Sequence, residues 1–356
     1  GNQEYISLLY IPSKAPLDLY DRDTNKGVKL YVKRIFIMEA TEKLMPQYLR
    51  FVKGIIDSSD LPLNVSREIL QDSKAVEAIR SGTVKKILSS LEGMAKKKPD
   101  DYEKFWGEFG RVLKEGPAED FTNREKIAEL LRFSTTNDDS DKQSASFDDY
   151  VSRMKPEQES IYYIIADSFM AAKNSPHLEI FKKKNIEVLL LGDRVDEWLI
   201  SNLTEFKSKK FQSIAKGDLD LGKLENESEK GKNKKIEEKA KTFNEKIKIS
   251  LGDKVKDVKV THRLTDSPAC LVVGEHDISG NMERILKAAG QNTPDNKPIL
   301  EINPEHKLIE KLKKFEGTAD FDEYTSVIFD QAMLSEGAQL DDPVDFVKKI
   351  NRFLVK

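Results

Sequence analysis

The stretch Asp60–Gln71 holds the arrangement of residues most open to a chemical reading. Leu61-Pro62-Leu63 is extended, and Asn64 or Ser66 offers a side-chain oxygen to the turn that follows. Arg67 lies on that loop, just before a helical stretch. A guanidinium is a rigid fork of donors that matches phosphate oxygens. A loop arginine can also reach into a neighbouring domain and stabilise charge on a transferring phosphoryl group. On residue type alone, a surface or salt-bridging arginine is the simpler reading.

Nothing nearby completes an active site. The chain has no GxxxxGK[ST] and no GxGxxG, so it lacks an ordinary phosphate cradle. It has no HExxH, no cysteine pair and no GxSxG. His177, His262, His276 and His306 are far apart in sequence, and a metal site would need them to converge. Cys270 sits in the apolar run Ala269–Val273 and reads as a small core residue rather than a nucleophile. A lone cysteine excludes an internal disulfide and fits a reducing compartment. An α/β enzyme with a site at strand C-termini, near Ser168 or Gly192-Asp193, stays open as an alternative. No nucleophile–base pair supports it.

A second kind of chemistry needs only apolar surface. Ile278, Met282, Ile285 and Leu286 recur at near-helical spacing within Asp277–Ala289, and Gly290 closes the segment. Methionine and branched apolars repack easily and suit promiscuous binding. The alternative is that the stripe packs on its own domain. Gly280 lowers helix propensity there and predicts some fraying.

Composition narrows the classes further. Charged residues make up 34% of 356, above the usual quarter, and hydrophobic residues 38%, which suits long solvated helix faces. With 59 basic and 62 acidic residues the net charge is -3, so no basic surplus favours nucleic acid. Lysine runs such as Lys96–Lys98 and Lys182–Lys184 read as helix ends. No apolar run approaches the roughly 20 residues that span a bilayer, and Gly1-Asn2-Gln3-Glu4 carries no secretion pattern. A cytoplasmic protein without a membrane partner is expected.

The elements follow from periodicity. Val28, Leu30 and Val32 alternate with polar residues as in a half-buried strand, and 34–38 turns continuously apolar. Val76, Ile79, Thr83, Ile87, Leu91 and Met94 predict a helix over 74–96, and Phe105, Phe109 and Val112 the next one. Thr122-Asn123-Arg124-Glu125 reads as a capping box. Residues 135–146 read as a loop between subdomains. Strand 161–165, a helix around 170–183, strand 186–191, a helix around 194–203 and strand 211–214 alternate as in a parallel sheet. Residues 216–241 are charged and apolar-poor, the best domain boundary, leading into a helix through Phe243 and Ile247. Strands are expected over 255–261, 268–273 and 298–302, then a helix capped by Asn303 with Pro304 at its first position. Two apolar-striped helices end the chain, about 321–335, stopped by Gly337, and from Asp342-Pro343 onward. Pairing with a second copy would make a four-helix bundle. Packing on their own domain is the plainer alternative.

The segment Leu61-Pro62-Leu63-Asn64-Val65-Ser66-Arg67-Glu68-Ile69-Leu70-Gln71 resembles the signature of the ninety-kilodalton heat-shock chaperones. Tyr5–Pro12, Leu30–Met38 and Pro46–Asp60 resemble the start of that family's middle domain. Tyr150–Met154, Ile186–Trp198, Thr261-His262-Arg263-Leu264 and Ser267-Pro268-Ala269 continue the likeness over essentially the whole chain. The ending Phe353-Leu354-Val355-Lys356 lacks the acidic tail of the eukaryotic cytosolic members, which favours the bacterial branch.

The resemblance implies the middle and C-terminal parts of such a chaperone, without its N-terminal ATPase domain. The implied fold is an α/β middle domain, two α/β/α units joined by a helical connector, followed by an α+β C-terminal dimerisation domain. The implied divisions are 1–140 for the large unit and connector, 141–225 for the small unit and 226–356 for the dimerisation domain. By resemblance, Arg67 reaches the terminal phosphate of ATP held in the absent domain, and Gln71 supports it. The chain alone is then expected to be no enzyme and to hold no cofactor, with ATP and Mg belonging to the full-length protein. By resemblance Ile278, Met282, Ile285 and Leu286 lie on a helix that touches client proteins, and Trp198 matches a position near the client cleft, with a core tryptophan as the alternative. Tyr324, Val327, Ile328, Val347, Ile350, Phe353 and Leu354 are the expected dimer contacts. The implied partners are partly folded proteins, the chain's own ATPase domain and a second copy, with a DnaK-type chaperone among those allowed.

Overall fold

The computed structural model describes residues 4–21, 27–39, 42–61, 74–138, 140–219, 221–224, 227–275, 277–293 and 296–355. The fold is mixed α/β. Its strands are β1 (Tyr5–Tyr10), β2 (Val28–Val32), β3 (Ile35–Glu39), β4 (Lys53–Ser58), β5 (Ser134–Thr135), β6 (Ser160–Ile165), β7 (Leu189–Leu191), β8 (Glu205–Phe206), β9 (Lys209–Ser213), β10 (Asp257–Val260), β11 (Ala269–Val272) and β12 (Ile299–Ile302). The chain divides into two compact units, Gly1–Arg132 with Ser144–Asp148 and Val195–Phe206, and Phe133–Gln143 with Asp149–Arg194 and Lys207–Lys356.

The first unit is built on a sheet of order β1-β4-β2-β3. β2 alternates as the sequence predicts, with Val28, Leu30 and Val32 buried. β2 and β3 form a hairpin whose turn, Lys33-Arg34, has φ of 47° and 67°. Such a turn favours asparagine and glycine, so the apolar run through 34–38 hid it. The helix Lys74–Lys97 buries Val76, Ile79, Thr83, Ile87 and Leu91 of its expected stripe and leaves Met94 half-buried. It is followed by Pro99–Leu113, whose Phe105 and Phe109 pack on Phe51 at 5.4 and 4.9 Å between ring centroids.

The expected capping box does not form. The helix Arg124–Leu130 has Asn123 before it and no side-chain cap. Asp120 instead accepts from Asn123 N at 3.1 Å and from Asn123 Nδ2 at 2.8 Å, stabilising the turn ahead of the helix. An aspartate that closes a local turn removes the need for a threonine cap.

The second unit holds a sheet running β5-β7-β6-β9, in which β6 is parallel to both β7 and β9. Its antiparallel edge, β5, takes in Thr135, the first residue of the stretch the sequence presents as a loop. Thr136 N donates to Val188 O and Thr136 Oγ1 accepts from Val188 N, both at 2.9 Å, so only Leu189–Leu191 of the expected strand joins the ladder. The single helix expected near 170–183 is three pieces, Phe169–Lys173, the 3-10 turn Pro176–Leu178 and Glu179–Lys183. Pro176 lacks an N–H and cannot continue a helix, and Ser175 Oγ accepts from His177 N to open the next turn.

The C-terminal part of this unit starts with the helix Glu227–Leu251, which runs through the expected charged linker. Glu and Lys are good helix formers, so a sequence poor in apolar residues still coils. A sheet of order β10-β12-β11 packs beneath it, with Phe243, Ile247, Leu300, Ile302, Ile309, Leu312, Tyr324 and Ile328 in one core. The next helix is Lys307–Lys314, not one starting after Asn303. Asn303 Oδ1 accepts from Glu305 N at 3.1 Å and makes a turn, while His306 Nδ1 accepts from Leu308 N at 3.1 Å and caps the helix. Helices Asp320–Ser335 and Pro343–Val355 end the chain, the first stopped by Gly337 at φ 74°.

Glu179 fastens this unit internally. Its carboxylate accepts from Thr265 N at 2.5 Å, Asp266 N at 2.7 Å, Ser267 N at 3.2 Å and Ser267 Oγ at 2.5 Å. Burial pushes the carboxyl upward, but these bonds outweigh it and hold it below the ordinary value. A depressed carboxylate stabilises the fold above its unfolded pKa, and that stability is lost as pH falls through the folded value. Glu179→Gln should therefore cost about 1–2 kcal/mol at neutral pH. The loss should shrink below about pH 4. Urea unfolding followed from pH 7 to 3 checks it, and a loss independent of pH would contradict the assignment.

Candidate functional site

Arg67 and Gln71 lie outside the described residues. Just upstream, Leu61 is buried, and Lys74 opens the first long helix downstream.

The apolar stripe takes a definite form. Gly280–Ala288 is helical, and Ser279 Oγ accepts from Met282 N at 3.0 Å as its cap. Gly280 is therefore the first helical residue rather than an interior one. Glycine weakens a helix most in its interior, so the expected fraying is offset by the cap. Ile278, Met282, Ile285 and Leu286 are all half-buried, neither sealed in the core nor fully solvated. The approach to the helix is anchored. Lys216 Nζ donates to Asp277 O at 2.8 Å, Gly217 N donates to Val273 O at 2.9 Å, and Asp277 Oδ2 accepts from Gly274 N at 3.0 Å.

Trp198 lies on the helix Val195–Asn202 of the first unit, with 38% of its surface exposed. On the same helix Asp196 is fully buried and meets Lys114 Nζ at 2.8 Å.

The terminal hairpin is split. Tyr324, Val327 and Ile328 are buried within their own unit, and Tyr324 stacks on Phe315 at 4.2 Å. Ile350 and Phe353 are half-buried, Phe353 edge-on to Tyr324. Val347 is 53% exposed and Leu354 80%, and the helix Pro343–Val355 has no buried residue. It is tied back by polar contacts, Arg352 Nη1 to Glu323 Oε1 at 2.8 Å and Lys349 Nζ to Ser326 Oγ at 3.1 Å.

Among the described residues, the side chains at the alternative site are engaged in local structure. Ser168 Oγ is used as a cap, accepting from Ala171 N at 3.2 Å, and Asp193 Oδ2 accepts from Gln143 Nε2 at 2.9 Å. Gly192 packs where a Cβ would lie 2.8 Å from Phe169 N, which leaves no space for a ligand at that point. Burial, with Glu301 nearby, holds the Cys270 thiol well above its ordinary range, so it stays protonated. Among the described residues, no group of three or more His, Cys, Asp or Glu side chains could hold a metal ion. Among them, too, no helix is long and apolar enough to cross a membrane.

Polar pairs that sequence reasoning missed include Lys114–Asp196, Arg263–Glu301, His177–Glu336 and Asp167–Arg284. Arg263 stands in a motif that carried the family resemblance, but no spacing rule signals that it is buried.

The family profile described as Hsp90 protein matches residues 1–356. The chaperone protein HtpG of Nitrosomonas europaea is 59% identical over 360 residues, covering 100% of this chain and 56% of the relative. Those of Dechloromonas aromatica and Chromobacterium violaceum are 59% and 58% identical, again over 100% of this chain and 56% of each relative. The chain thus spans about 56% of the length of these curated relatives.

Proposed function

This chain belongs to the Hsp90 protein family, and on that footing we propose that it is the client-holding and dimerising part of an ATP-dependent molecular chaperone of the bacterial cytoplasm. The observation that carries the reading is apolar surface left uncovered by the fold, the half-buried stripe Ile278, Met282, Ile285 and Leu286 and the open face of the last helix at Val347 and Leu354. Partly folded proteins display apolar side chains that gain roughly 25 cal/mol per Å² when removed from water. A stripe holding methionine can adapt to many such surfaces. Trp198 adds a further apolar contact on the first unit.

Dimerisation follows from the same accounting of surface. Val347 and Leu354 lie on a helix that its own chain does not bury. A second copy would cover them in a four-helix bundle with the helix Asp320–Ser335. On this reading Tyr324, Val327 and Ile328 shape the hairpin from inside, while Ile350 and Phe353 lie at its margin.

Arg67 serves ATP hydrolysis in the whole protein by placing a cation against the terminal phosphate, and Gln71 supports it. ATP with its Mg supplies the energy for conformational cycling. Both are assigned to the nucleotide-binding domain of the whole protein, and no described residue of this chain is assigned to the metal. A DnaK-type chaperone would be a further partner.

Light scattering at micromolar concentration should give about twice 40.6 kDa for the chain. Val347→Asp with Leu354→Asp should return it to monomer. The chain should suppress aggregation of a denatured protein, and Met282→Ser with Ile285→Ser should weaken that suppression several-fold. A monomeric wild type sinks the dimer, and a wild type that leaves aggregation unchanged sinks client holding.

A further inference from the structure

Among the described residues, one ion pair holds the back of the 280–288 helix. Arg284 Nη2 lies 2.9 Å from Asp167 Oδ2. At about 100° per residue, Arg284 stands roughly 200° around the helix from Met282, while Ile285 and Leu286 fall within about 60° of it. The cation therefore faces away from the apolar stripe. Its guanidinium lies over Gly280, with Nη1 at 3.8 Å from where a Cβ would be. Its Nε is buried and finds no acceptor among the described residues.

Asp167 occupies the loop directly after β6, ahead of the Ser168 cap of the helix Phe169–Lys173. Packing of Gly192 against Phe169 N fixes that loop from beneath. The same carboxylate lies 3.6 Å from the Cβ position of Gly337, the residue that ends the helix Asp320–Ser335. One side chain thus lies beside both the apolar helix and the turn that joins the two helices of the terminal hairpin.

We infer that Asp167–Arg284 is a salt-sensitive latch that holds the 280–288 helix by its back and so sets how much of the Met282–Leu286 stripe is offered to a client. The inference rests on the client-holding reading of that stripe. The physical case is the imbalance of the helix's attachments. Its entry is anchored by Lys216, Gly217 and the Ser279 cap. Its exit closes on the helix's own last turn, where Gly290 N donates to Lys287 O and Gln291 N to Leu286 O, both at 3.0 Å, with Gly290 left-handed at φ 72°. Between them, Arg284 is tied to the β6 loop through one hydrogen bond, and its buried Nε finds no acceptor among the described residues. Such a helix can pivot about its capped end. Asp167 is half exposed and Arg284 one-third exposed, so salt can reach the pair. Pairs of this exposure shift a local equilibrium by a few-fold rather than by orders of magnitude, as a gate needs.

The test uses the 356-residue chain and the variants Asp167→Asn, Arg284→Gln and the charge swap Asp167→Arg with Arg284→Asp. Amide hydrogen exchange of 280–288 and binding of the neutral dye Nile red are read at about 50 and about 500 mM salt. At low salt each single variant should exchange about threefold faster over 280–288 and bind more dye. High salt should bring the wild type to the same level, and the swap should restore slow exchange. Exchange elsewhere and the melting temperature should stay unchanged, which a merely structural role would not allow. Single variants with wild-type exchange and salt response overturn the latch. So does faster exchange without added dye binding, because the stripe would then not be gated. These results are independent of aggregation suppression by the wild type, whose absence would overturn the client-holding reading instead.

Discussion

Arg263→Met should remove about 3–5 kcal/mol of stability from the second unit, because it leaves the Glu301 carboxylate buried without its cation. Arg263 is 2% exposed and Glu301 5%, and Arg263 Nε lies 2.8 Å from Glu301 Oε2. The guanidinium also donates to Ile214 O at 2.5 Å and to Gly217 O, and Glu301 Oε2 accepts from Thr261 Oγ1 at 2.6 Å. It therefore satisfies the carbonyls of the chain leaving β9 and a charge on β12 at once. Removing one partner of a buried pair is far worse than removing both. The double variant Arg263→Met with Glu301→Gln should recover a large part of the loss. Urea unfolding of both variants checks this. A single variant that loses under about 1 kcal/mol, or a double variant no better than the single, would remove the uncompensated charge as the cause.

Lys114→Met should have a comparable effect in the first unit. Lys114 is 1% exposed and Asp196 fully buried, with Nζ and Oδ1 2.8 Å apart. Lys114 follows the helix Pro99–Leu113, and Asp196 stands in the first turn of Val195–Asn202. An acidic residue there also favours the helix N-terminus, so the pair joins two helices while satisfying a buried charge. The expected loss is again about 3–5 kcal/mol, with partial recovery in Lys114→Met with Asp196→Asn. Lys114 also lies over the Trp106 ring, 6.0 Å from its centroid, so the reading is made with Trp106→Phe in both proteins. Because Trp198 sits two residues beyond Asp196, loosening of this helix should then shift its emission at denaturant concentrations below global unfolding. A variant as stable as the wild type would show that the pair is dispensable. Loss of stability with unchanged emission before unfolding would show that Trp198 is positioned by other contacts.

Much of the fold was legible because burial imposes a period on neighbours. The alternation of Val28, Leu30 and Val32 and the stripe from Val76 to Leu91 each identify an element and its inward face. Gly337 marked a helix end because a left-handed residue is needed there. Less visible were features in which a common residue takes an uncommon role. Lys33-Arg34 makes a turn usually given to glycine or asparagine, and His306 rather than Asn303 caps a helix. The break at Pro176 could have been read from the proline, yet the apolar spacing around it concealed the stop.

The candidate site shows the same division. The stripe at 278–286 was readable as an amphipathic helix, but half-burial of all four side chains depends on what packs around them. The terminal hairpin was readable as two striped helices. Only packing sorted Tyr324, Val327 and Ile328 to the inside and left Val347 and Leu354 open. By itself the sequence determined the family, the type of most elements and the face each one buries, since these depend on residues within a turn or a strand of one another. The tertiary structure alone decided which charges lose their water. Lys114 with Asp196, Arg263 with Glu301 and Asp167 with Arg284 are distant along the chain. An ion pair is defined by distance in space and by dielectric surroundings, and neither is a property of the local sequence.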